Sequence, residues 1–269
     1  MRRPVRRLPT GLPLRAIAPN ALTALALCSG LTGVRFAIAQ DWRTAVVMIL
    51  VASALDGVDG QVARLLRGTS RFGAELDSLS DAISFGVAPA LILYLWSLTN
   101  APRFGWICAL LFAVFCAMRL ARFNAQIDAT EQPRKMAGFM TGVPAPAGAI
   151  GAMLPLYLWF IAEDGWLPEW KPWLREWWLV APWMAFIALL MISSIATFSW
   201  ASLRLRRNIR FEALAVIVAI GVSLISAPWP TLVGLCIIYL ALIPFSARSY
   251  ARIRRQRANM SAARAPAGP

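Results

Sequence analysis

Long apolar stretches separated by short polar ones cover most of this chain, and their lengths predict its secondary structure. Each stretch approaches the roughly 20 residues that an α-helix needs to cross the hydrocarbon core of a membrane. The pattern therefore predicts an all-α, polytopic membrane protein with about eight transmembrane helices. We place the eight segments at residues 18–39, 44–67, 78–99, 104–126, 144–162, 177–200, 211–227 and 229–247.

The composition agrees with a membrane protein. Of the 269 residues, 59% are hydrophobic, the mean hydropathy is +0.60 and 15% are charged, whereas soluble domains carry about 25% charged residues. The segments divide the chain into a basic N-terminal segment (1–17), a six-helix transmembrane core (18–200), two additional transmembrane helices (201–247) and a basic cytoplasmic tail that we expect to be disordered (248–269).

The net charge is +14, but the basic residues follow a membrane topology. Arginines precede the first segment and cluster after the second, fourth, sixth and eighth, whereas residues 163–176 on the other side are rich in acids. By the positive-inside rule, both termini are cytoplasmic. The arginines also favour contact with anionic membrane lipids. We expect no nucleic-acid partner, and the long first segment without a small-residue cleavage site argues against a signal peptide.

The chain has four cysteines and no histidine. The cysteines lie in apolar segments without paired spacing, which is typical of small buried residues. The lack of histidine excludes Ser-His-Asp hydrolysis, a histidine proton shuttle and a histidine-ligated zinc site. Any acid, base or metal ligand is then mainly a carboxylate, and oxygen ligands favour a hard cation such as Mg²⁺ or Mn²⁺.

Four aspartates lie in apolar surroundings, at positions where lipid is expected. A carboxylate at membrane depth costs several kcal/mol unless it has a partner or faces a wet cavity, so four together imply a functional site. Asp56 and Asp59 are spaced i,i+3 on one predicted helix, and Asp77 and Asp81 are spaced i,i+4 on the next. The short connection makes these helices antiparallel neighbours, so the carboxylates converge. Divalent cations would permit such crowding, which otherwise forces protons onto some of the carboxylates.

Residues with little or no side chain alternate with the aspartates. Gly60 and Ala63 continue one helical face, and Gly73 begins the next helix. They leave room for a bulky ligand to approach the backbone, although small residues in membrane helices also serve helix packing. Arg64 adds a planar guanidinium group that can donate two parallel hydrogen bonds to a phosphate. The residues together predict a metal-dependent phosphate or diphosphate site near the cytoplasmic membrane surface.

The spacing Asp-x-x-Asp-Gly-x-x-Ala-Arg, then eight residues, then Gly-x-x-x-Asp-x-x-x-Asp, resembles the motif of the CDP-alcohol phosphotransferase family at every fixed position. The resemblance implies a membrane enzyme that moves a phosphatidyl or related group from a CDP-activated donor to an alcohol and releases CMP. It also implies a six-helix core and a homodimer. By the same resemblance, Asp56, Asp59 and Asp77 hold the metal ions, and Asp81 contributes to a second metal or acts as the catalytic base.

The resemblance also implies which residues bind the donor, CDP-diacylglycerol. Gly60 and Ala63 would accommodate the cytidine, and Arg64 and Gly73 would lie against the nucleotide or the diphosphate. We include three further polar residues in this predicted donor site: Asn20 and Thr23, which lie in a segment similar to known relatives, and Ser70.

Further segments indicate which alcohol is the acceptor. Residues 19–23, 76–89, 118–124 and 139–146 are similar to the bacterial membrane-type CDP-diacylglycerol–serine O-phosphatidyltransferases, which implies L-serine. A basic cluster near the end of the fourth segment can bind the serine carboxylate or the donor phosphate, or it can simply anchor the helix at the interface. The cluster consists of Arg119, Arg122, Asn124 and Lys135.

Two alternatives stay open at this point. A sibling transferase would use inositol phosphate, glycerol phosphate or choline, although phosphate-bearing acceptors call for a denser basic pocket. A divalent-cation transporter is the non-enzyme alternative, because intramembrane carboxylates also mark ion pathways. The glycine, alanine and arginine spacing disfavours the transporter. The preferred interpretation is a phosphatidyltransferase of the bacterial inner membrane with its active site near the cytoplasmic face.

Overall fold

The computed structural model describes residues 14–66, 70–127, 139–193, 196–198 and 210–264, which are almost wholly helical. Six helices in this part are long and apolar enough to cross a membrane, which agrees with an all-α polytopic protein. A seventh crossing results if a helix pair bent by 70°, Pro168–Leu174 and Trp177–Ile192, counts as one span. The six are Ile17–Ile38, Trp42–Leu66, Arg71–Trp96, Arg103–Ala125, Ala145–Glu163 and Pro228–Ser246.

The first four crossings hold the predicted site. They consist of α1 (Leu14–Ile38), α2 (Trp42–Leu66), a composite third span of α3 (Arg71–Asp81), a π-helix (Ala82–Val87) and α4 (Ala88–Trp96), a 3₁₀ turn (Leu98–Asn100), and α5 (Pro102–Ile127).

The second half is more broken. It contains β1 (Phe139–Thr141), α6 (Ala145–Ala152), α7 (Leu154–Glu163), a 3₁₀ turn (Pro168–Trp170), α8 (Lys171–Leu174), α9 (Trp177–Ile192), β2 (Ala196–Phe198), α10 (Arg210–Ser226) and α11 (Pro228–Arg264).

A π-helix interrupts the third span directly after Asp81. Pro89 has no N–H group and cannot continue the regular hydrogen-bond ladder, and the N–H of Ala88 bonds to the carbonyl of Ile83, five residues back. π-Helical turns inside α-helices are frequent at functional sites. Here the turn changes the phase of the helix between the aspartates and the buried half of the span.

Small residues let α1 pack directly against the third span. A Cβ on Gly30 would lie 2.6 Å from the hydroxyl oxygen of Ser84, so only glycine fits at this crossing. Two buried hydroxyls hold the same interface: Ser84 donates to the carbonyl of Ala26 at 3.3 Å, and Ser80 donates to that of Thr23 at 3.2 Å. These contacts fix α1 beside the aspartates of α3.

The span formed by α6 and α7 lies at the centre of the bundle, with 72% of its residues buried. At its far end, Arg43 of α2 pairs with Glu163 at 3.2 Å and with Asp164 at 2.5 Å. The guanidinium of Arg43 also stacks over the rings of Phe160 and Trp229. Three helices are thus joined at the end of the bundle opposite the aspartates.

One predicted segment ends earlier in the structure than predicted. The segment 177–200 is helical only to Ile192, and Ala196–Phe198 forms a strand that pairs antiparallel with β1, Thr141 opposite Ala196. Gly142, with φ of 73°, turns the chain from β1 towards α6, where a side chain would meet the carbonyl of Met191. The segment 211–227 coincides with an apolar helix, Leu214–Ser226, that is shorter than the six spans.

α11 continues to Arg264, past the domain boundary predicted at residue 247, and the predicted disorder of the tail stays a prediction. Alanine and arginine, which dominate this stretch, are among the strongest helix formers. The boundary predicted at residue 247 therefore does not end a helix.

Candidate active site

Three of the four aspartates form a compact cluster where α2 meets α3. Asp56 and Asp59 of α2 and Asp77 of α3 each offer a carboxylate oxygen, and these oxygens lie within 4.8 Å of one another. Two oxygens on opposite sides of a Mg²⁺ ion are roughly 4 Å apart, given Mg–O distances of about 2.1 Å. The cluster thus needs to contract by less than about 1 Å to hold one ion.

Asp59 is held in place from α1. Its side chain is buried, and its Oδ2 accepts a hydrogen bond of 2.6 Å from the Thr23 hydroxyl. The same hydroxyl lies 3.1 Å from the carbonyl oxygen of Pro19. Partners of this kind orient a metal-binding carboxylate and fix its free lone pairs. Thr23, predicted as a donor-binding residue, therefore contacts a predicted metal ligand directly.

Asp81 lies one helical turn beyond Asp77 and outside the three-carboxylate cluster. Its carboxyl group is within hydrogen-bonding distance of that of Asp56, and it interacts electrostatically with Arg119 of α5. Asp81 thus lies near both Asp56 of the three-carboxylate cluster and Arg119, one of the predicted acceptor residues. Both predicted roles of Asp81, ligand of a second metal ion and catalytic base, stay predictions.

A cavity of about 440 Å³ opens beside the cluster, a volume within the range of small-ligand sites. All seven residues predicted to bind the donor line it, together with Asp59 and Asp77. The full lining is Pro19, Asn20, Thr23, Asp59, Gly60, Ala63, Arg64, Ser70, Gly73, Ala74 and Asp77.

The two glycines of this cavity have different roles. A Cβ on Gly60 would meet nothing within 4 Å, so this position leaves open space in the cavity. A Cβ on Gly73 would lie 2.7 Å from Asn20 Oδ1 and 3.1 Å from Ser70 Oγ, so glycine is needed there for packing. Ser70 caps α3 by accepting a hydrogen bond from the Gly73 N–H at 3.0 Å. The N-terminus of α3, which favours anions, therefore points into the cavity.

The predicted acceptor cluster is not brought together as one pocket. Arg122 donates to the carbonyls of Ile192 at 2.8 Å and Ser193 at 3.1 Å, so it caps the end of α9. Asn124 donates to the Ser78 hydroxyl at 2.8 Å. Arg119 is buried and lies near Asp81. Lys135 lies outside the described residues.

Sequence reasoning missed two lining residues and one buried hydroxyl. Pro19 and Ala74 line the cavity. In the sequence, only their position next to the predicted site residues Asn20 and Gly73 could have indicated this. Tyr239 of α11 lies within electrostatic range of Arg119. Tyr239 lies in an apolar helix, where a tyrosine is usually a core residue, so no sequence pattern identifies it as part of the site.

Comparisons with known proteins agree with this geometry. Residues 16–188 match the family model described as CDP-alcohol phosphatidyltransferase, and residues 210–244 match CDP-alcohol phosphatidyltransferase 2. The chain is similar to proteins named CDP-diacylglycerol–serine O-phosphatidyltransferase. It is 39% identical to that of Mycobacterium bovis over 87% of this chain and 79% of the relative.

The corresponding Mycobacterium leprae protein is 38% identical over 86% of this chain and 74% of its own length. That of Helicobacter pylori is 40% identical over 52% and 57%, respectively. The two mycobacterial matches extend well beyond the aspartate motif. This chain therefore belongs to the CDP-alcohol phosphatidyltransferase family of membrane transferases.

Proposed function

We propose that the protein transfers the phosphatidyl group of CDP-diacylglycerol to L-serine and releases CMP, which makes it a phosphatidylserine synthase. One observation carries the proposal: a single cavity is lined by two cluster carboxylates and by all seven residues predicted to bind a CDP-linked donor. The names of relatives 38–39% identical over most of the chain support serine as the acceptor.

The donor half of the reaction follows from the cavity. Gly60 and Ala63 leave room for the nucleotide to approach the backbone of α2. Arg64 and the N-terminus of α3 supply positive charge to the diphosphate. Such fixed positive groups offset charge that develops on the leaving oxygens, which is usually the largest catalytic contribution in reactions of this type.

Asp56, Asp59 and Asp77 would hold a divalent cation, Mg²⁺ or Mn²⁺. Their hard oxygen ligands and their spacing within 4.8 Å suit either ion. The ion would supply charge neutralisation on the diphosphate. The Thr23 hydroxyl fixes the orientation of the Asp59 carboxylate, and Asp81 would contribute to a second metal position.

The acceptor half of the reaction requires a base. The Asp81 carboxylate would take the proton of the serine hydroxyl as the serine oxygen forms a bond to the phosphorus that carries diacylglycerol. The bond from that phosphorus to the bridging oxygen breaks, and CMP leaves with the electron pair. The position of Asp81 near both Asp56 and Arg119 supports this role.

The site would face the cytoplasm from a bacterial inner membrane, with both termini on the same side. Arg64, Arg71 and Arg122 lie at the cavity end of their helices, whereas Glu163 and Asp164 lie at the other end. This charge asymmetry supports the orientation. A homodimer is implied by the family resemblance and stays a prediction.

The test is to give the purified protein CDP-diacylglycerol, Mg²⁺ or Mn²⁺, and one alcohol at a time, and to measure CMP release. We expect release with L-serine and little with glycerol phosphate, inositol phosphate or choline. Release with one of the other alcohols alone would assign the protein to a sibling transferase. No release with any alcohol, together with metal uptake into vesicles, would favour the transporter alternative.

A further inference from the structure

Arg119 is a buried cation that has no close counter-ion among the described residues. Only 8% of its surface is exposed, and its Nε has no hydrogen-bond partner in the part of the chain that the structure describes. Within the described ranges, no carboxylate lies within 4.0 Å of its guanidinium, and Asp81 is its nearby opposite charge at longer range. A buried charge left unpaired costs several kcal/mol. The arrangement therefore calls for an anion that joins it during function.

A second buried polar atom lies in the same region. The hydroxyl of Tyr239 is inaccessible to solvent and has no hydrogen-bond partner in the described part of the chain. It is close enough to Arg119 for the two groups to interact electrostatically. A buried hydroxyl without a partner costs about 1–3 kcal/mol. One anion bound between the guanidinium and the phenol would satisfy both groups.

Tyr239 belongs to α11, which lies outside the six-helix core that the sequence predicts. Its ring lines a separate cavity of about 350 Å³ whose other lining residues are apolar or carry a thiol, among them Val143, Leu190 and Cys236. Tyr239 thus forms part of an apolar wall, and its buried hydroxyl is close enough to Arg119 to interact with it electrostatically. α11 in this way contributes a polar group to the surroundings of Arg119, which itself interacts with Asp81.

We propose that Arg119 and Tyr239 together bind the carboxylate of the acceptor, so that α11 completes the acceptor end of the active site. This inference rests on the proposed function, because it takes serine as the acceptor. In serine, only two carbon atoms separate the carboxylate from the hydroxyl. A carboxylate held at Arg119 therefore keeps the hydroxyl near Asp81, the proposed base. An acceptor without a carboxylate loses this anchor.

The test compares the unaltered protein with Tyr239→Phe, which removes one oxygen that has no hydrogen-bond partner among the described residues. CMP release is measured against serine and against CDP-diacylglycerol. We expect the KM for serine to rise about tenfold to a hundredfold, as for a lost hydrogen bond to a charged group, with the donor KM unchanged. The preference for serine over ethanolamine, which lacks the carboxylate, falls by the same factor.

Tyr157→Phe is the matched control. Tyr157 of α7 is fully buried, and its hydroxyl also lacks a hydrogen-bond partner within the described ranges, but its ring stacks on Trp229, away from the aspartates. We expect both KM values to stay unchanged in this variant. Arg119→Lys keeps the charge but loses the planar fork, and it is expected to raise the serine KM in the same way as Tyr239→Phe.

Two outcomes contradict the inference in distinguishable ways. A serine KM within twofold of the unaltered protein in both Tyr239→Phe and Arg119→Lys would overturn it while leaving serine as the acceptor. Absence of serine-dependent CMP release from the unaltered protein would instead overturn the proposed function, and this inference with it. A rise in the serine KM of equal size in Tyr157→Phe would show a packing effect and would also count against carboxylate binding.

Discussion

Gly60→Ala separates ligand binding from folding more cleanly than any other substitution in the cavity. The added methyl group would meet no atom within 4 Å, so it stands in open cavity space. The folded protein therefore has nothing to rearrange. Because alanine is the better helix former, the change should stabilise α2 by about 0.5–1 kcal/mol.

Gly60→Ala should lower affinity only for the donor, because the added methyl group meets other atoms only when the donor is bound. If the nucleotide packs against the backbone at Gly60, the methyl group overpacks that contact, and overpacking costs about 1–3 kcal/mol. This corresponds to an increase of roughly five- to a hundred-and-fifty-fold in the KM for CDP-diacylglycerol. The KM for serine should change little, because Gly60 lies on the donor side of the cluster.

The control is Gly57→Ala, one helical turn earlier on α2. Its Cβ would also meet nothing within 4 Å, but Gly57 does not line the cavity. Both variants should show similar melting temperatures in detergent, slightly above that of the unaltered protein. CMP release measured against CDP-diacylglycerol then isolates the ligand contact. If Gly60→Ala has the same donor KM as Gly57→Ala, the cavity does not take the nucleotide at this position.

Three further predictions concern other parts of the site. Thr23→Val removes the hydrogen bond to Asp59 and should raise the Mg²⁺ concentration for half-maximal activity about tenfold to a hundredfold. Thr23→Ser keeps the hydroxyl and should leave this concentration unchanged. Equal Mg²⁺ dependence of activity in the two variants would refute a role of this hydrogen bond in metal binding. Arg122→Ala removes two hydrogen bonds to the end of α9 and should cost about 1–3 kcal/mol of stability. Its serine KM should stay unchanged, and a large rise would restore Arg122 to the acceptor site. Asp81→Asn should lower turnover by about 10²–10⁴-fold while CDP-diacylglycerol still binds, as measured by equilibrium binding of labelled donor. Near-normal turnover would remove Asp81 from the role of base.

Much of the donor site could be predicted from the sequence because its residues lie on two consecutive helices. The spacing of Asp56, Asp59 and Asp77 fixes which helical faces they share, and a short connection makes the helices neighbours. Asn20 and Thr23 of α1 followed from the resemblance alone, since no local pattern shows that α1 packs beside α3. The close approach at Gly30 explains this packing in physical terms.

The acceptor side was harder to predict because it depends on contacts between distant segments. Spacing places Arg119 and Arg122 near each other on α5, but it does not show that Arg122 reaches the carbonyls of Ile192 and Ser193. Nor does it show that Tyr239 approaches Arg119 from α11. The strand at 196–198 was missed for the same reason, because its pairing partner lies more than fifty residues earlier.

The most direct test of the central claim is a joint measurement of labelled L-serine incorporated into lipid and of CMP released from CDP-diacylglycerol. We expect one CMP per phosphatidylserine formed, no product after chelation of divalent metal, recovery on adding Mg²⁺ or Mn²⁺, and loss of both products in Asp77→Asn. Release of CMP without lipid-bound serine, or full activity in Asp77→Asn, would contradict a metal-dependent transfer to serine at the aspartate cluster.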